Sequence, residues 1–303
     1  MSYEIMRWVG FHILIAILLA LDFGVFHRKS RVVSMKEAAL WSAFWIGLSL
    51  LFNAFIFFYE GQQKALEFFT GYLVEKSLSV DNIFVFILVF SYFKVPEKLQ
   101  HRVLYLGIVG ALILRLALIL AGVTLIHRFA WLIYLLGVFL GYTGIRLMLQ
   151  KKGRIAPEEN WLVQWTRRHF AVTEDYHGSK FWVHKAGKWF ATPLVLVLLV
   201  IETTDLIFAL DSIPAIFAIT LDPFIVYTSN IFAVLGLRSL HFLIAESLLF
   251  FSHLQVGLGL VLFFVGVKMV MGPFYVIPLP ISLAVIAGIL VASMLTSLFV
   301  KKR

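Results

Sequence analysis

Two stretches of the sequence match each other, Glu75-Lys-Ser-Leu-Ser-Val-Asp-Asn82 and Asp205-Leu-Ile-Phe-Ala-Leu-Asp-Ser212. Each carries two acids six residues apart, and the second acid, Asp81 or Asp211, is followed by a small polar residue. Both stretches lie inside long apolar runs, where ionisable side chains are rare and mark functional sites by default. The match predicts a repeated membrane-embedded fold with a buried polar site.

The apolar runs extend over the whole chain. Of the 303 residues, 61% are hydrophobic and 14% charged, and the apolar runs are about 20 residues long, which is the length that spans a bilayer core. We therefore predict an all-α polytopic membrane protein, in which the first apolar run stays as an anchor. About nine transmembrane helices are predicted, at residues 8–26, 37–59, 67–93, 101–126, 128–149, 191–219, 223–245, 253–271 and 281–300.

The positive charges are distributed unevenly between the predicted loops. With the N-terminus outside, 18 Lys and Arg residues fall on the cytoplasmic side and only Arg7, Lys64 and Arg128 on the other. Cytoplasmic loops carry such an excess, which predicts a cell inner (plasma) membrane protein with a cytoplasmic C-terminus. The net charge of +9 is then topological and does not indicate nucleic acid. The predicted partners are membrane lipids and a divalent metal ion, and protein partners stay unknown.

The match between the two halves continues in the next two spans of each. Arg115 corresponds to Arg238, and Gly144 corresponds to Gly266. An odd number of spans separates the two units, so they have opposite orientations, as in the inverted repeats of secondary transporters. The predicted division is two peripheral helices (1–66), a first three-helix repeat (67–149), a basic Trp-rich cytoplasmic loop (150–190), a second three-helix repeat (191–271), and a last helix with a basic tail (272–303).

Five acids fall inside the predicted spans, Glu75, Asp81, Glu202, Asp205 and Asp211. Each costs about 2.5–3.5 kcal/mol near the bilayer centre, so they should face an interior cavity, where a divalent cation offsets their repulsion. Oxygen-only ligands favour magnesium, calcium or manganese. The predicted metal ligands are Asp81 and Asp211 first, with Glu75, Asp205, Asn82 and Ser212.

Helix geometry limits how these acids can meet. A spacing of six residues places the two acids of a pair about 120° apart on a regular helix, so a shared ion needs a broken helix. Pro214 predicts such a break beside Asp211. Glu202 and Asp205 do share a face, which is compatible with a proton-coupled step.

A structural interpretation of the acids stays open beside the metal site. They would then pair with Lys76, Arg115 and Arg238 and hold helices together, and the two arginines are expected to balance charge rather than to touch the substrate. Asn53 and Asn230 offer amide oxygens to an ion, although buried asparagines more often join helices by hydrogen bonds.

The long predicted cytoplasmic loop mixes eight cations with Trp161, Trp165, Trp182 and Trp189. This composition suits a surface that lies on anionic lipid. Within the loop, residues 181–190 predict a small hairpin that turns at Ala186-Gly187.

At its motifs the chain resembles the TerC family, in particular its Alx-like members, within the wider group of lysine-exporter-type transporters. The resemblance covers nearly the whole chain and is carried by residues 21–27, 71–84, 202–217 and 230–238. It implies manganese export from the cytoplasm. The acids of the family correspond to Glu75, Asp81, Asp205 and Asp211.

The predicted function is a secondary transporter that exports a divalent cation, most of all Mn²⁺, in exchange for protons. It is not an enzyme, since no HExxH or comparable motif appears, and it needs no cofactor. Alternatives are Ca²⁺/H⁺ exchange and a membrane scaffold that assists metallation of exported enzymes. Some family members carry the label of redox modulator, but the chain has no cysteine and no recognisable haem or flavin motif.

Overall fold

The computed structural model describes residues 3–27, 34–149, 160–185, 187–245 and 254–300. Within these ranges the protein consists of helices and one small sheet. The helices are α1 (Tyr3–His27), α2 (Met35–Glu60), α3 (Gln62–Tyr92), α4 (Glu97–Arg128), α5 (Leu132–Leu149), α6 (Trp161–His169), α7 (Pro193–Phe217), α8 (Pro223–Leu235), α9 (Leu237–Ala245), α10 (Leu254–Met271) and α11 (Leu279–Val300). The strands are β1 (Ala171–Val172), β2 (Trp182–Lys185) and β3 (Lys188–Ala191).

The helices are those of a membrane protein. In the described ranges, seven segments are long and apolar enough to cross a bilayer, and they come from α1, α2, α4, α5, α7, α8 with α9, and α11. This confirms the predicted all-α polytopic class. α10 is apolar but shorter, and α3 is longer but carries several charged residues. The count of nine spans, which would include these two helices, stays a prediction.

The core lies where α3, α4, α7 and α8 meet. α3 and α4 each pack against both α7 and α8. α8 is buried from Phe224 to Leu235, as expected for a helix that is apolar on all sides. By contrast, only 17% to 22% of the membrane-length segments of α1, α2 and α11 is buried. The helices that carry the acidic motifs, α3 and α7, are therefore held at the centre of the bundle.

The predicted helix break at Pro214 is wrong. α7 continues through Pro214 and ends at Phe217, and α3 is also continuous over its whole length. Pro214 lies in the last turn, where the missing N–H costs a single bond to the Leu210 carbonyl and no long continuation has to bend around the ring.

A helix interruption occurs elsewhere, at Gly236 between α8 and α9. A Cβ on Gly236 would come within 2.7 Å of Lys76 Nζ and 3.2 Å of Trp45 Cβ. Lys76 Nζ donates to the carbonyl of Ala233 at 3.1 Å. Because carbonyls in the last turn of a helix lack an intrahelical partner, the ammonium group of α3 satisfies one of them where α8 ends.

The most extensive helix contact of the described chain joins α5 and α10. A Cβ on Gly144 would lie 2.5 Å from the carbonyl oxygen of Gly259, and a Cβ on Gly266 would lie 2.5 Å from that of Gly137. In each case an amide nitrogen of the partner helix would lie at 2.6 Å. Gly137 and Gly144 of α5 correspond to Gly259 and Gly266 of α10 at a constant offset of 122 residues. Each contact is therefore the counterpart of the other, with the two helices exchanged. Glycines let the backbones approach this closely.

Between α5 and α7 the chain forms a small subdomain from α6 and the sheet. β2 and β3 pair antiparallel, with Lys185 opposite Lys188, and β1 pairs parallel with β3. Gly187 has φ +75°, the left-handed conformation that a two-residue hairpin loop needs. The predicted hairpin is thus confirmed. The Tyr176 hydroxyl donates to the Phe93 carbonyl at 2.8 Å and fastens the subdomain to the end of α3.

Candidate functional site

A buried ion-pair network joins the central helices. Arg115 of α4 has no exposed surface, and Glu75 of α3 and Asp205 of α7 are 1% and 3% exposed. The guanidinium donates to Asp205 through Nη2 to Oδ1 at 2.9 Å and through Nε to Oδ2 at 3.2 Å, a bidentate pair. Its Nη1 donates to Glu75 Oε1. Two predicted ligands and one predicted counter-ion therefore meet at one place.

Two asparagines complete this network. Asn230 of α8 accepts from Arg115 Nη1 at 2.7 Å and donates to Glu75 Oε2 at 3.1 Å. Asn82 of α3 donates to Asp205 Oδ1 at 3.4 Å. Asn230 thus joins helices through hydrogen bonds, which is the structural role that the sequence allowed for it. Counted formally, the network holds one cation and two carboxylates, so it carries an excess negative charge.

Several buried oxygens on α3 and α7, the helices that carry the two acids of the network, have no hydrogen-bond partner among the described residues. They are Ser79 Oγ and Asn82 Oδ1 on α3 and Glu202 Oε2 and Ser212 Oγ on α7. Ser79 lies between Glu75 and Asn82, and Glu202 lies one turn before Asp205. Buried polar atoms are normally satisfied, so these four oxygens are available to a polar guest. Ser79 was missed in the sequence, although its spacing of four residues from Glu75 places both on one helix face.

Glu202 is positioned by a glycine. A Cβ on Gly110 of α4 would overlap the Glu202 carboxylate, so that the carboxylate fits only because position 110 has no side chain. The charge of Asp205 acts on Glu202 from the next turn of α7. The predicted shared face of these two acids is present in the structure, but the part played by Gly110 could not be recognised without the packing of α4 on α7.

Asp211 lies apart from the buried network. It is half-buried, and its polar neighbours are Thr143 and Arg146 of α5. The spacing of six residues from Asp205 turns the two side chains to different faces of the continuous α7. Asp81 falls within α3, but its side chain lies outside the described residues. Within the described side chains, no group of three or more Asp, Glu, His or Cys residues comes together around one point.

The other predicted cations occupy different positions. Lys76 donates a hydrogen bond to the Ala233 carbonyl in the last turn of α8. Arg238, at the start of α9, is buried close to His101 of α4. Asn53 of α2 has a buried Oδ1 without a partner among the described residues.

A second ionic cluster ties together the helix ends on the predicted outer side. Lys64 binds Asp222 at 2.8 Å and Glu67 at 3.5 Å, and Arg7 binds Glu60 at 3.3 Å and lies 4.0 Å from Asp222. Asp222 also caps α8, because its Oδ1 accepts from the Phe224 amide at 2.9 Å. These pairs join α1, α2, α3 and α8. The sequence had predicted the side on which Arg7 and Lys64 lie, but not their partners.

The environment of Asp222 sets its protonation. Burial raises the pKa of Asp222, but the hydrogen bond and the charge of Lys64 act in the opposite direction, with help from the Ile225 amide and from Arg7. The net result is a pKa below the ordinary value of an aspartate. Asp222 is therefore a carboxylate at neutral pH, and the contact with Lys64 is an ion pair.

Comparison with known proteins places this architecture in one family. The model of the integral membrane protein TerC family matches residues 59–303. No solved structure matches the chain.

Relatives match over nearly their full lengths. An "Uncharacterized membrane protein STKORF319" of Myxococcus xanthus is 52% identical over 291 residues, which cover 96% of this chain and 91% of that protein. The "Putative membrane-bound redox modulator Alx" of Escherichia coli is 47% identical over 305 residues, 98% and 95% of the two chains. A Rickettsia bellii membrane protein is 41% identical over 98% of each. The chain belongs to the TerC family of integral membrane proteins.

Proposed function

We propose that the protein is a secondary transporter that exports a divalent metal cation, with Mn²⁺ as the first candidate, from the cytoplasm across the inner membrane in exchange for protons. The observation that carries the proposal is the network of Glu75, Arg115 and Asp205, with its excess negative charge and neighbouring unsatisfied oxygens. Hard divalent cations take carboxylate, amide and hydroxyl oxygens of this kind.

In this mechanism Arg115 and the metal compete for the same carboxylates. The guanidinium occupies both oxygens of Asp205 and one of Glu75. A metal ion that binds these oxygens must displace it, so Arg115 stabilises the site while it is empty of cargo. The unsatisfied oxygens of Ser79 and Asn82 would then serve as further ligands.

Charge balance assigns the proton to Glu202. With metal bound, Glu75, Asp205, Arg115 and a divalent ion have a formal sum of +1, which an ionised Glu202 neutralises. With metal released, the sum without Glu202 is −1, and its carboxyl group then takes up a proton. Metal and proton therefore occupy the site in alternation, which is what exchange requires.

The acids of α7 form a series along the membrane normal. Glu202, Asp205 and Asp211 extend over about 13 Å at a rise of about 1.5 Å per residue. In the proposed orientation Glu202 lies nearest the cytoplasm and Asp211 nearest the outside. Asp211 then receives the ion after the central site. Its counterpart Asp81 lies on the cytoplasmic side of Glu75, because α3 runs in the opposite direction to α7, so the ion meets it before the central site. The export path thus follows the acids that the two motifs share.

Two further features support alternating access. The equivalent glycine contacts between α5 and α10 are those expected of two inverted units that meet about a local two-fold axis. The pairs Arg7–Glu60 and Lys64–Asp222 tie the helices together at the proposed outer end. In the proposed cycle these pairs separate when the cation leaves.

The test is Mn²⁺ flux in proteoliposomes loaded with a metal-sensitive dye, with and without a pH gradient. Glu75→Gln, Asp205→Asn, Asp81→Asn and Asp211→Asn should abolish flux, whereas Asp175→Asn, in an exposed acid of the cytoplasmic subdomain, should not. Flux that stays unchanged in the four variants would favour the purely structural role of the acids.

The same assay separates the alternatives. Excess Ca²⁺ that blocks Mn²⁺ flux and is itself carried would favour Ca²⁺/H⁺ exchange. Absence of flux in well-folded wild-type protein would favour the scaffold that assists metallation, or the redox role in the name of the Alx relatives.

A further inference from the structure

Aromatic side chains are exposed on the subdomain between α5 and α7. Trp161 and Trp189 are each 65% exposed, and Trp165 and Trp182 are exposed as well. The positive-inside rule accounts for cations in this region, but it does not call for indole rings in water. Indoles prefer the boundary between lipid and water, so this exposure requires its own explanation.

α6 is amphipathic in the manner of an interfacial helix. Val163 and Thr166 are buried, and α6 packs against α7. The opposite face presents Trp161 and Trp165 together with Arg168. A helix that has aromatic and basic residues on its free face is suited to lie in the plane of a membrane interface.

The hairpin adds a second aromatic face. His184 lies opposite Trp189 in the strand register, so these two side chains and Trp182 project on one side. Val183, next along the strand, is buried on the other side. Lys185 and its partner Lys188 are exposed at the turn. Both elements of the subdomain thus present exposed indoles, with Arg168 on the indole face of α6 and the two lysines at the tip of the hairpin.

A cavity of about 560 Å³ lies between this subdomain and the ends of two long helices, and Arg167 and Glu174 are its charged lining residues. Its other walls include Tyr92, Phe93, Phe170, Tyr176 and Pro193. Tyr92 and Pro193 are terminal residues of α3 and α7, so the cavity adjoins the level at which these helices leave the bilayer. From residue 160 to 192 the chain has five Lys and Arg against two acids, so the subdomain as a whole favours an anionic partner.

We infer that residues 160–192 form a peripheral membrane-binding module that docks on anionic phospholipid of the cytoplasmic leaflet. Trp161 and Trp165 of α6 and Trp182 and Trp189 of the hairpin enter the interface, and Arg167 in the cavity binds a lipid phosphate. A lipid surface fits better than a soluble protein, because α6 packs against α7 and Tyr176 binds the Phe93 carbonyl at the end of α3, and these contacts hold the module close to the bilayer.

The absence of cysteine makes a direct test available. Full-length His184→Cys protein is labelled with an environment-sensitive fluorophore and reconstituted into nanodiscs of phosphatidylcholine with increasing phosphatidylglycerol. We expect a blue shift and a rise in emission as phosphatidylglycerol increases, and a partial reversal at high salt. Protein labelled at Tyr275→Cys, between α10 and α11, should not respond.

Substitutions then separate the two parts of the inference. Trp161→Ser with Trp165→Ser should abolish the shift, and Arg167→Gln should move it to higher phosphatidylglycerol. Arg128→Gln makes the same charge change at the C-terminal end of α4, on the predicted outer side, and should leave the shift unchanged. An equal shift in pure phosphatidylcholine, or no shift in either lipid, overturns the inference. Asp205→Asn, which the proposed transport mechanism requires to be inactive, should keep the shift, so the two ideas fail independently.

Discussion

Arg115 holds Asp205 by two hydrogen bonds, Nη2 to Oδ1 at 2.9 Å and Nε to Oδ2 at 3.2 Å, although the two residues belong to different motifs of the chain. A fully buried guanidinium in this geometry leaves little of the carboxylate free. Removing one partner of such a buried pair costs about 3–5 kcal/mol, because the other charge stays unpaired. This relationship makes Arg115 the residue whose replacement best separates a structural from a transport role.

Arg115→Gln should lower the melting temperature of the detergent-solubilised protein in the absence of metal, since Glu75 and Asp205 then face each other without a cation. Added Mn²⁺ should restore more stability to Arg115→Gln than to wild type, because the ion no longer competes with the guanidinium. Thermal unfolding with and without Mn²⁺ measures both effects. The control is Arg128→Gln, and an equal response of Arg115→Gln and wild type to Mn²⁺ would contradict competition.

Gly110→Ala should impair transport through Glu202. The new Cβ would overlap the Glu202 carboxylate, and the acid must leave its place beside Asp205. We expect Mn²⁺ flux to lose its dependence on the pH gradient. The loss of stability should be small, because the atoms that must move are at the end of a flexible side chain. Gly47→Ala in α2, where nothing lies within 4 Å of the added Cβ, is the matched control. Unaltered coupling in Gly110→Ala would remove Glu202 from the mechanism.

Gly144→Ala and Gly266→Ala should destabilise the protein by similar amounts, because the added Cβ meets backbone atoms at the same distances in both places. Overpacking of this kind costs about 1–3 kcal/mol. Gly288→Ala in α11, which has open space, provides the reference. Unfolding in detergent by heat measures the three variants side by side. Clearly unequal losses at positions 144 and 266 would argue against equivalent contacts.

Asp222→Asn should weaken the outer ionic cluster in a pH-dependent way. Since the folded pKa of Asp222 lies below its ordinary value, the ion pair stabilises the protein above the unfolded pKa of about 3.9 and this contribution is lost as pH falls through the folded pKa. Asparagine still caps α8, so the substitution removes the charge alone. The difference in stability between wild type and variant should be largest at neutral pH and should shrink below about pH 4. A difference that is constant with pH would mean that the charge of Asp222 does not stabilise the cluster.

The sequence was a good guide to which polar residues matter and a poor guide to which of them meet. Glu75, Asp205 and Arg115 stood out because charged groups are costly in apolar runs. Their convergence is a contact between the two halves of the chain, and helical spacing within each motif carries no information about it. The spacing did foresee that Asp211 would not share a face with Asp205.

The place of the helix interruption shows the same limit. Proline is a local signal, and at Pro214 it fell in the last turn of a helix, where it does little. Gly236 is where a helix does end, and the ammonium group beside it comes from Lys76, on another helix of the bundle. The glycine is a local helix-stop signal, but the side chain that satisfies a carbonyl at this end belongs to α3 and leaves no trace in the sequence around position 236.

The close fit of α5 on α10 has a consequence for how the protein is made. Gly144 and its contact Gly259 are separated by more than 100 residues of chain. At translation rates of about 5–20 residues per second, α5 leaves the ribosome several seconds to about twenty seconds before α10 exists. During that interval the glycine face of α5 contacts lipid or the insertion machinery instead of α10. The first half of the chain therefore waits in the membrane with an incomplete helix interface until the second half has been synthesised.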